Sequence, residues 1–199
     1  MIKILIMFVE GPAGSTKTYA AVFAALRELQ KNDDMDLLYV RTAIESADKG
    51  LGALPGTLED KFNPYMAPLE DKLDELLPPT TPIAEELIQS GRIQAMPINF
   101  LRGANWINKI IIADESQNFT FKELVTLITR IGENSKLIIC GDMMQSDING
   151  KTGFYDMIKL FDCEESRDRG IHCFRFTEDD ILRSKILKYI VQKLKTAKS

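Results

Sequence analysis

Histidine is almost missing from this 199-residue chain, where His172 stands alone, and cysteine is scarce, with only Cys140, Cys163 and Cys173 and no CxxC pair. One histidine and an odd number of thiols build neither a zinc site nor a disulfide framework. Reduced thiols in a cytoplasm are the simplest expectation, with Cys140 a small core residue and His172 a structural one. No window approaches the ~18 consecutive apolar residues of a membrane-spanning helix. The apolar run at 4–9 is too short for a secretory signal and is stopped by Glu10. No membrane association is therefore expected. An overall basic footprint for nucleic acid is lacking too, since 25 Lys+Arg against 29 Asp+Glu leave a net charge of −4. There is no internal repeat and no low-complexity segment.

What remains is the composition of a globular protein, 45% hydrophobic and 27% charged. The length favours a single domain over residues 1–199, able to bury roughly 70% of its unfolded surface without a staple. Charge is unevenly placed. Residues 45–86 carry ten acids against Lys49, Lys61 and Lys72, whereas residues 183–199 carry six cations and no acid.

Residues 2–9 form an almost unbroken apolar run, as expected of a strand buried on both faces of a parallel sheet. A helix rich in Ala and Leu is predicted over 17–31 and a short strand over 37–40. Residues 43–82 read as a Pro-rich acidic insertion or lid, with one short helix at 69–77. A helix over 83–90, strands over 95–101 and 109–113, and a helix over 121–131 capped by Thr120 follow. The rest reads as a strand at 136–140, a helix at 154–161, a strand at 172–176 and a terminal helix at 178–194. Strands alternating with helices give an α/β fold around a mostly parallel sheet.

Gly11-Pro12-Ala13-Gly14-Ser15-Thr16-Lys17-Thr18 stands between the first strand and first helix. That is the place of a phosphate-binding Walker A loop, GxxxxGK[ST]. Its backbone N–H groups and the helix N-terminus would hold phosphate oxygens. Lys17 would reach the β- and γ-phosphates, and the Thr18 hydroxyl would bind Mg²⁺. Thr16 departs from the pattern, because a β-branched residue stands where glycine is customary. Strain in the loop, weaker nucleotide affinity or slower turnover are the expected consequences.

Ile110-Ile111-Ile112-Ala113-Asp114-Glu115 has the form of a Walker B strand ending in two carboxylates. In a parallel sheet the strand C-termini line one crevice. Asp114 would meet the metal there, and Glu115 would orient or deprotonate water. A third apolar strand ends at Gly141-Asp142, with Gln145 placed to sense the γ-phosphate. Each motif alone also fits a plain turn, but the three in order point to nucleoside triphosphate binding.

These residues make the chain recognisable. It resembles the PhoH-like family, ATPases related to the first RecA-like core of superfamily 1 helicases. The resemblance runs from Gly11–Thr18 through Arg41-Thr42-Ala43-Ile44-Glu45, Leu51-Gly52-Ala53-Leu54-Pro55-Gly56 and Asn63-Pro64-Tyr65 to Phe100-Leu101-Arg102-Gly103. It is most specific at residues 111–120, IIADESQNFT, and continues through LITRIG at 127–132, SKLIICGD at 135–142 and Asp180-Ile181-Leu182-Arg183. It implies a RecA-like P-loop core, ATP binding and hydrolysis with Mg²⁺, a role linked to RNA or single-stranded nucleic acid, and a homo-oligomer such as a hexamer. In such a ring Arg183 and Arg130 are the candidates for an arginine that acts on a neighbouring subunit's site.

The family usually carries an upstream segment that holds the adenine, and this sequence starts at the first strand, so loose base selectivity is expected. Arg92, Arg102, Lys109 and the terminal basic cluster are available to nucleic acid, although the cluster also fits the solvated face of the final helix. Tyr65, Trp106 and Phe119 are aromatics that could stack a base but are not grouped into a platform, and Trp106 reads more readily as a packing residue. A binding or assembly module with little turnover is the rival expectation. A small-molecule kinase is a third, against which Gln145 and the helicase-like motif order argue.

Overall fold

The computed structural model describes residues 5–42, 58–78, 80–101, 105–143 and 152–180, with only the backbone described for 58–63. Twelve strands and helices are found among them. In order they are β1 (Ile6–Glu10), α1 (Lys17–Lys31), β2 (Asp36–Arg41), α2 (Leu58–Leu76), α3 (Ile83–Gln89) and β3 (Ile93–Pro97), then β4 (Lys109–Ala113), α4 (Phe121–Ile128), β5 (Lys136–Gly141), α5 (Gly153–Phe161), α6 (Glu164–Asp168) and β6 (Ile171–Arg175).

The strands form one six-stranded sheet in the order β3-β2-β4-β5-β1-β6, and every pairing is parallel. This is the expected α/β fold. All strand C-termini therefore open on one edge, and β5 separates β1, which leads into the loop at 11–18, from β4, which ends in the acidic pair.

Two apolar layers sandwich the sheet. Alternation along β4 sends Ile111 and Ala113 to the α4–α5 face, with Leu127, Phe154 and Ile158. It sends Ile110 and Ile112 to the α1–α2 face, with Val22, Ala25, Leu69 and Leu73. The three β4 isoleucines are almost wholly buried, each contributing roughly 1.5–3 kcal/mol by transfer from water. A strand buried on both faces has to be apolar at every position, which is why β4 reads as a continuous run.

The largest difference from sequence expectation is α2. The short helix predicted at 69–77 is instead a 19-residue helix that carries Pro64 and Pro68 within it. An interior proline costs about 3 kcal/mol through its missing N–H and its ring clash. Tyr65, Leu69 and Leu73, spaced four apart, are buried against the α1–α2 layer and offset that cost. Pro64 is exposed and Pro68 half-buried. The second half of the supposed insertion is thus a helix packed on the core, and residues 43–57 lie outside the described residues.

Other boundaries moved for local reasons. The strand expected at 95–101 is Ile93–Pro97, followed by a 3₁₀ turn at Ile98–Phe100, since Pro97 cannot extend a ladder on its donor side. Helix α4 stops at Ile128, and Ile131 pairs instead with Trp106 in an isolated parallel bridge. Its start is as expected, with Thr120 and Glu123 forming a reciprocal capping box. The five-residue α6 has no apolar period to announce it. Of the terminal helix expected at 178–194, only a 3₁₀ turn at Glu178–Asp180 falls among the described residues.

Candidate functional site

Strand β1 is buried, and the turn after it is shaped by close approach. A Cβ on Gly11 would stand 2.7 Å from Phe176 Cβ and from Ser15 Oγ. Ser15 is fully buried and folds the turn shut, its N–H and hydroxyl both donating to the Pro12 carbonyl, at 3.2 and 2.8 Å. Gly14 lies at φ 82°, in the left-handed region that glycine enters without steric cost.

Thr16 lies there as well, at φ 60° and ψ 19°. For a residue with a Cβ this costs roughly 1–2 kcal/mol, and β-branching makes it a genuine outlier. The strain expected from Thr16 is thus present in the backbone. Thr16 is the N-cap of α1, yet its side chain makes no capping bond. The first-turn N–H groups of α1 are left for an outside acceptor, the arrangement that receives anions.

Lys17 opens α1 and folds over the loop, its Nζ donating to the carbonyls of Gly11 at 2.7 Å and Pro12 at 2.9 Å. Thr18, one residue on, donates from Oγ1 to Asp114 Oδ1 at 2.8 Å, across 96 residues of sequence. This bond joins the phosphate loop to the end of β4. The Asp114 N–H is held by the Val40 carbonyl at 2.9 Å, so β2 fixes where the acidic pair leaves the sheet.

Tyr39, from β2, donates its hydroxyl to Asp114 Oδ2. Burial, and then the charge of Asp114, push the phenol far above its usual range, so it remains a donor. The same two causes, in the same order, raise the buried Cys140 thiol, which is an inert wall residue. Asp114 thus spends one oxygen on Tyr39 and shares the other with Thr18.

Glu115 stands at φ 53° and ψ 37°, a second non-glycine residue in the left-handed region. Its carboxylate is met from two sides. Gln117 Nε2 donates to Oε2 at 2.5 Å, and Arg41 Nη2 lies 3.7 Å from Oε1. Gln117, only 3% exposed, accepts at its other end from the Asp142 N–H at 3.0 Å. It therefore ties the end of β4 to the end of β5.

Around these groups is a cavity of about 480 Å³. The loop and α1 line it with Ala13, Gly14, Thr16, Lys17 and Thr18, the strand ends with Tyr39, Arg41, Asp114, Glu115, Cys140, Gly141 and Asp142, and α2 with Pro68, Asp71, Lys72 and Glu75. Gly11, Pro12 and Ser15 form the turn that supports the loop.

A family model described as PhoH-like protein matches residues 1–195. The chain belongs to the PhoH-like family. Among curated PhoH-like proteins, that of Mycobacterium tuberculosis is 34% identical over 188 residues, 94% of this chain and 51% of that protein. That of Synechocystis is 38% identical over 143 residues, 72% of this chain and 43% of that protein. Protein PhoH of Escherichia coli is 31% identical over 90% of this chain and 50% of its own length. This PhoH-like chain spans about half the length of the curated relatives it matches. Its likeness to the solved flagellar accessory protein FlaH of Methanocaldococcus jannaschii is loose, with a TM-score of 0.31 and 14% identity over 96% of this chain and 69% of that one.

The fold of the PhoH-like chain brings the two main motifs together and separates other residues from them. Gln145 and Arg183 lie outside the described residues, as do Arg102 and the terminal basic cluster. Arg130 follows α4, and its carbonyl accepts from the Trp106 N–H ahead of β4, at the sheet edge opposite the cavity. Arg92 donates to the Met35 carbonyl and Lys109 pairs with Asp36, also at that opposite edge. Tyr65, Trp106 and Phe119 are buried in the core, so they are packing residues and not a platform for a base. Tyr39, Arg41 and Gln117 carry no site role in the sequence reading. The signal for the first two is polar residues at alternate positions near the end of an otherwise apolar strand.

Proposed function

We propose that this chain binds ATP with Mg²⁺ and hydrolyses it to ADP and phosphate. The observation that carries this reading is the Thr18–Asp114 bond, which sets a Walker A hydroxyl and a Walker B carboxylate on one point. The Lys17 ammonium and Glu115 carboxylate line the same cavity.

Mg²⁺ favours hard oxygen ligands and keeps several waters, so a hydroxyl and a carboxylate in contact, plus substrate phosphates, suit it. It would neutralise charge between the β- and γ-phosphates. Lys17 exchanges carbonyl partners for phosphate oxygens, which bear full charge and bind an ammonium more strongly. The loop N–H groups and the start of α1 hold the remaining oxygens. Glu115, fixed by Gln117, orients water and takes its proton. Gln145 completes the reading as a sensor of the γ-phosphate.

The test is phosphate release by the unsubstituted chain, Lys17→Ala and Glu115→Gln. The two variants are expected to lose about 100-fold or more, in line with removal of a charge-stabilising or proton-accepting group. Equal rates in all three would reject the assignment. Binding without measurable turnover, unrepaired by Thr16→Gly, would favour a nucleotide-binding module, the reading that the strained Thr16 supports.

The finer proposals rest on the family. They are coupling of hydrolysis to RNA or single-stranded DNA, a cytoplasmic homo-oligomer of up to six copies, and an arginine, Arg183 or Arg130, completing a neighbour's site. Repeating the assay with single-stranded RNA addresses the first. A rate independent of RNA and of DNA would remove it.

A further inference from the structure

Strand β2 ends at Arg41, and alternation places Arg41 on the same face as Tyr39, toward the end of β4. Its Nε lies 4.0 Å from Asp114 Oδ2 and its Nη2 lies 3.7 Å from Glu115 Oε1. Both separations are longer than a hydrogen bond. Among the described residues the guanidinium makes no hydrogen bond at all, and its side chain is 23% exposed.

The other cavity cations are already engaged. Lys17 donates to two loop carbonyls, and Lys72 is paired with Glu75. Among the described residues, Arg41 is thus held at the rim of the cavity by charge alone, at 3.7 and 4.0 Å. Its planar fork of donors matches phosphate oxygens two at a time.

Position along the cavity follows from Glu115. If Glu115 addresses the attacking water, the terminal phosphate lies beside it, and a guanidinium within 4 Å of Glu115 stands at that end. The inference rests on the phosphate-site reading above and goes beyond it. We propose that Arg41 is the group by which this site distinguishes a triphosphate from a diphosphate, moving from its loose pairing with Asp114 and Glu115 onto the terminal phosphate. The third phosphate adds negative charge next to those two acids, and Arg41 offsets it from within the same chain. Lys17 and the loop, which serve the inner phosphates as well, do not discriminate in this way.

Calorimetric titration with ADP and with a non-hydrolysable ATP analogue, both with Mg²⁺, tests the proposal on the unsubstituted chain, Arg41→Ala and Arg41→Lys. Arg41→Ala is expected to weaken the analogue on the order of tenfold or more while ADP shifts by less than about twofold, the usual scale for losing a charged hydrogen-bonding partner. Arg41→Lys keeps the charge without the fork and should show a smaller loss, again confined to the analogue. Retained ADP binding shows that a variant's site is folded. Should Arg41→Ala bind neither nucleotide, Arg41→Lys decides, with a selective loss supporting the proposal and a matched loss overturning it. Equal weakening of both nucleotides, or none, overturns the Arg41 assignment and leaves the phosphate site intact. An unsubstituted chain that binds neither nucleotide overturns both.

Discussion

The edge where the strands begin and the cavity at the edge where they end use the same residue types differently. At the edge where the strands begin, charges are tightly spent. Lys109 meets Asp36 at 2.9 Å, Lys136 meets Glu28 at 2.5 Å, and Arg92 donates to a carbonyl at 3.0 Å. At the edge where the strands end, Arg41 stands 3.7 and 4.0 Å from two carboxylates without bonding either. Backbone strain divides in the same way. Among the described non-glycine residues with positive φ, the opening edge has Asn108 and Asn134, joined by a 3.0 Å bond, and asparagine tolerates that region. The cavity edge has Thr16 and Glu115, which do not. Strain and loose charge are therefore kept where chemistry is expected, and the opposite edge stabilises the fold.

That contrast can be broken experimentally. The largest effect should come from Glu115→Gly, which relieves backbone strain but removes the carboxylate. Turnover is expected to fall by about 100-fold or more while the midpoint of thermal unfolding does not drop. A clear loss of stability would show that Glu115 is held for the fold.

Thr16→Gly should sharpen the comparison at smaller amplitude. It removes the Cβ penalty against the extra freedom of unfolded glycine, for a net gain of up to about 1 kcal/mol in denaturant unfolding. Tighter nucleotide binding in calorimetry should accompany it. Asn108→Gly at the other edge should change stability by no more than a few tenths of a kcal/mol. A larger gain from Asn108→Gly than from Thr16→Gly would cancel the distinction.

The smallest effect concerns pH. The ammonium of Lys136 bonded to Glu28 holds its carboxyl below the usual carboxylate range. A depressed folded value adds stability above the unfolded pKa of about 4.5, and that stability is lost as pH falls through the folded value. Lys136→Ala should flatten this acid-side slope, removing roughly a few tenths of a kcal/mol of the stability gained between acid and neutral pH, as for a partly exposed pair. An unchanged slope in acid unfolding curves would show that the pair is idle.

Much of this was legible in the sequence because the signals are local. After Lys109, β4 must be apolar at every position since both of its faces are covered, and its predicted limits match the observed ones. The loop at 11–18 carries its own turn chemistry, and Thr120 its own cap. The sequence predicts only the second half of α2 because its prolines argue locally against a helix, whereas Tyr65, Leu69 and Leu73 reward it only against strands elsewhere in the chain. Tyr39, Arg41 and Gln117 carry little local signal of a site role for a like reason. Tyr39 and Arg41 act on residues at the end of another strand, and Gln117, besides its local bond to Glu115, reaches the end of β5, so immediate neighbours do not name those partners.

Most of the elements, the parallel sheet and the two strand-end motifs were thus determined by the chain's own pattern, since periodicity, turn residues and caps act over a few residues. Which strands lie side by side was decided only by tertiary packing. That choice set β2 next to β4, brought Arg41 and Tyr39 to the acidic pair, and let Gln117 reach β5, because contacts between distant residues depend on how two apolar faces close over one sheet.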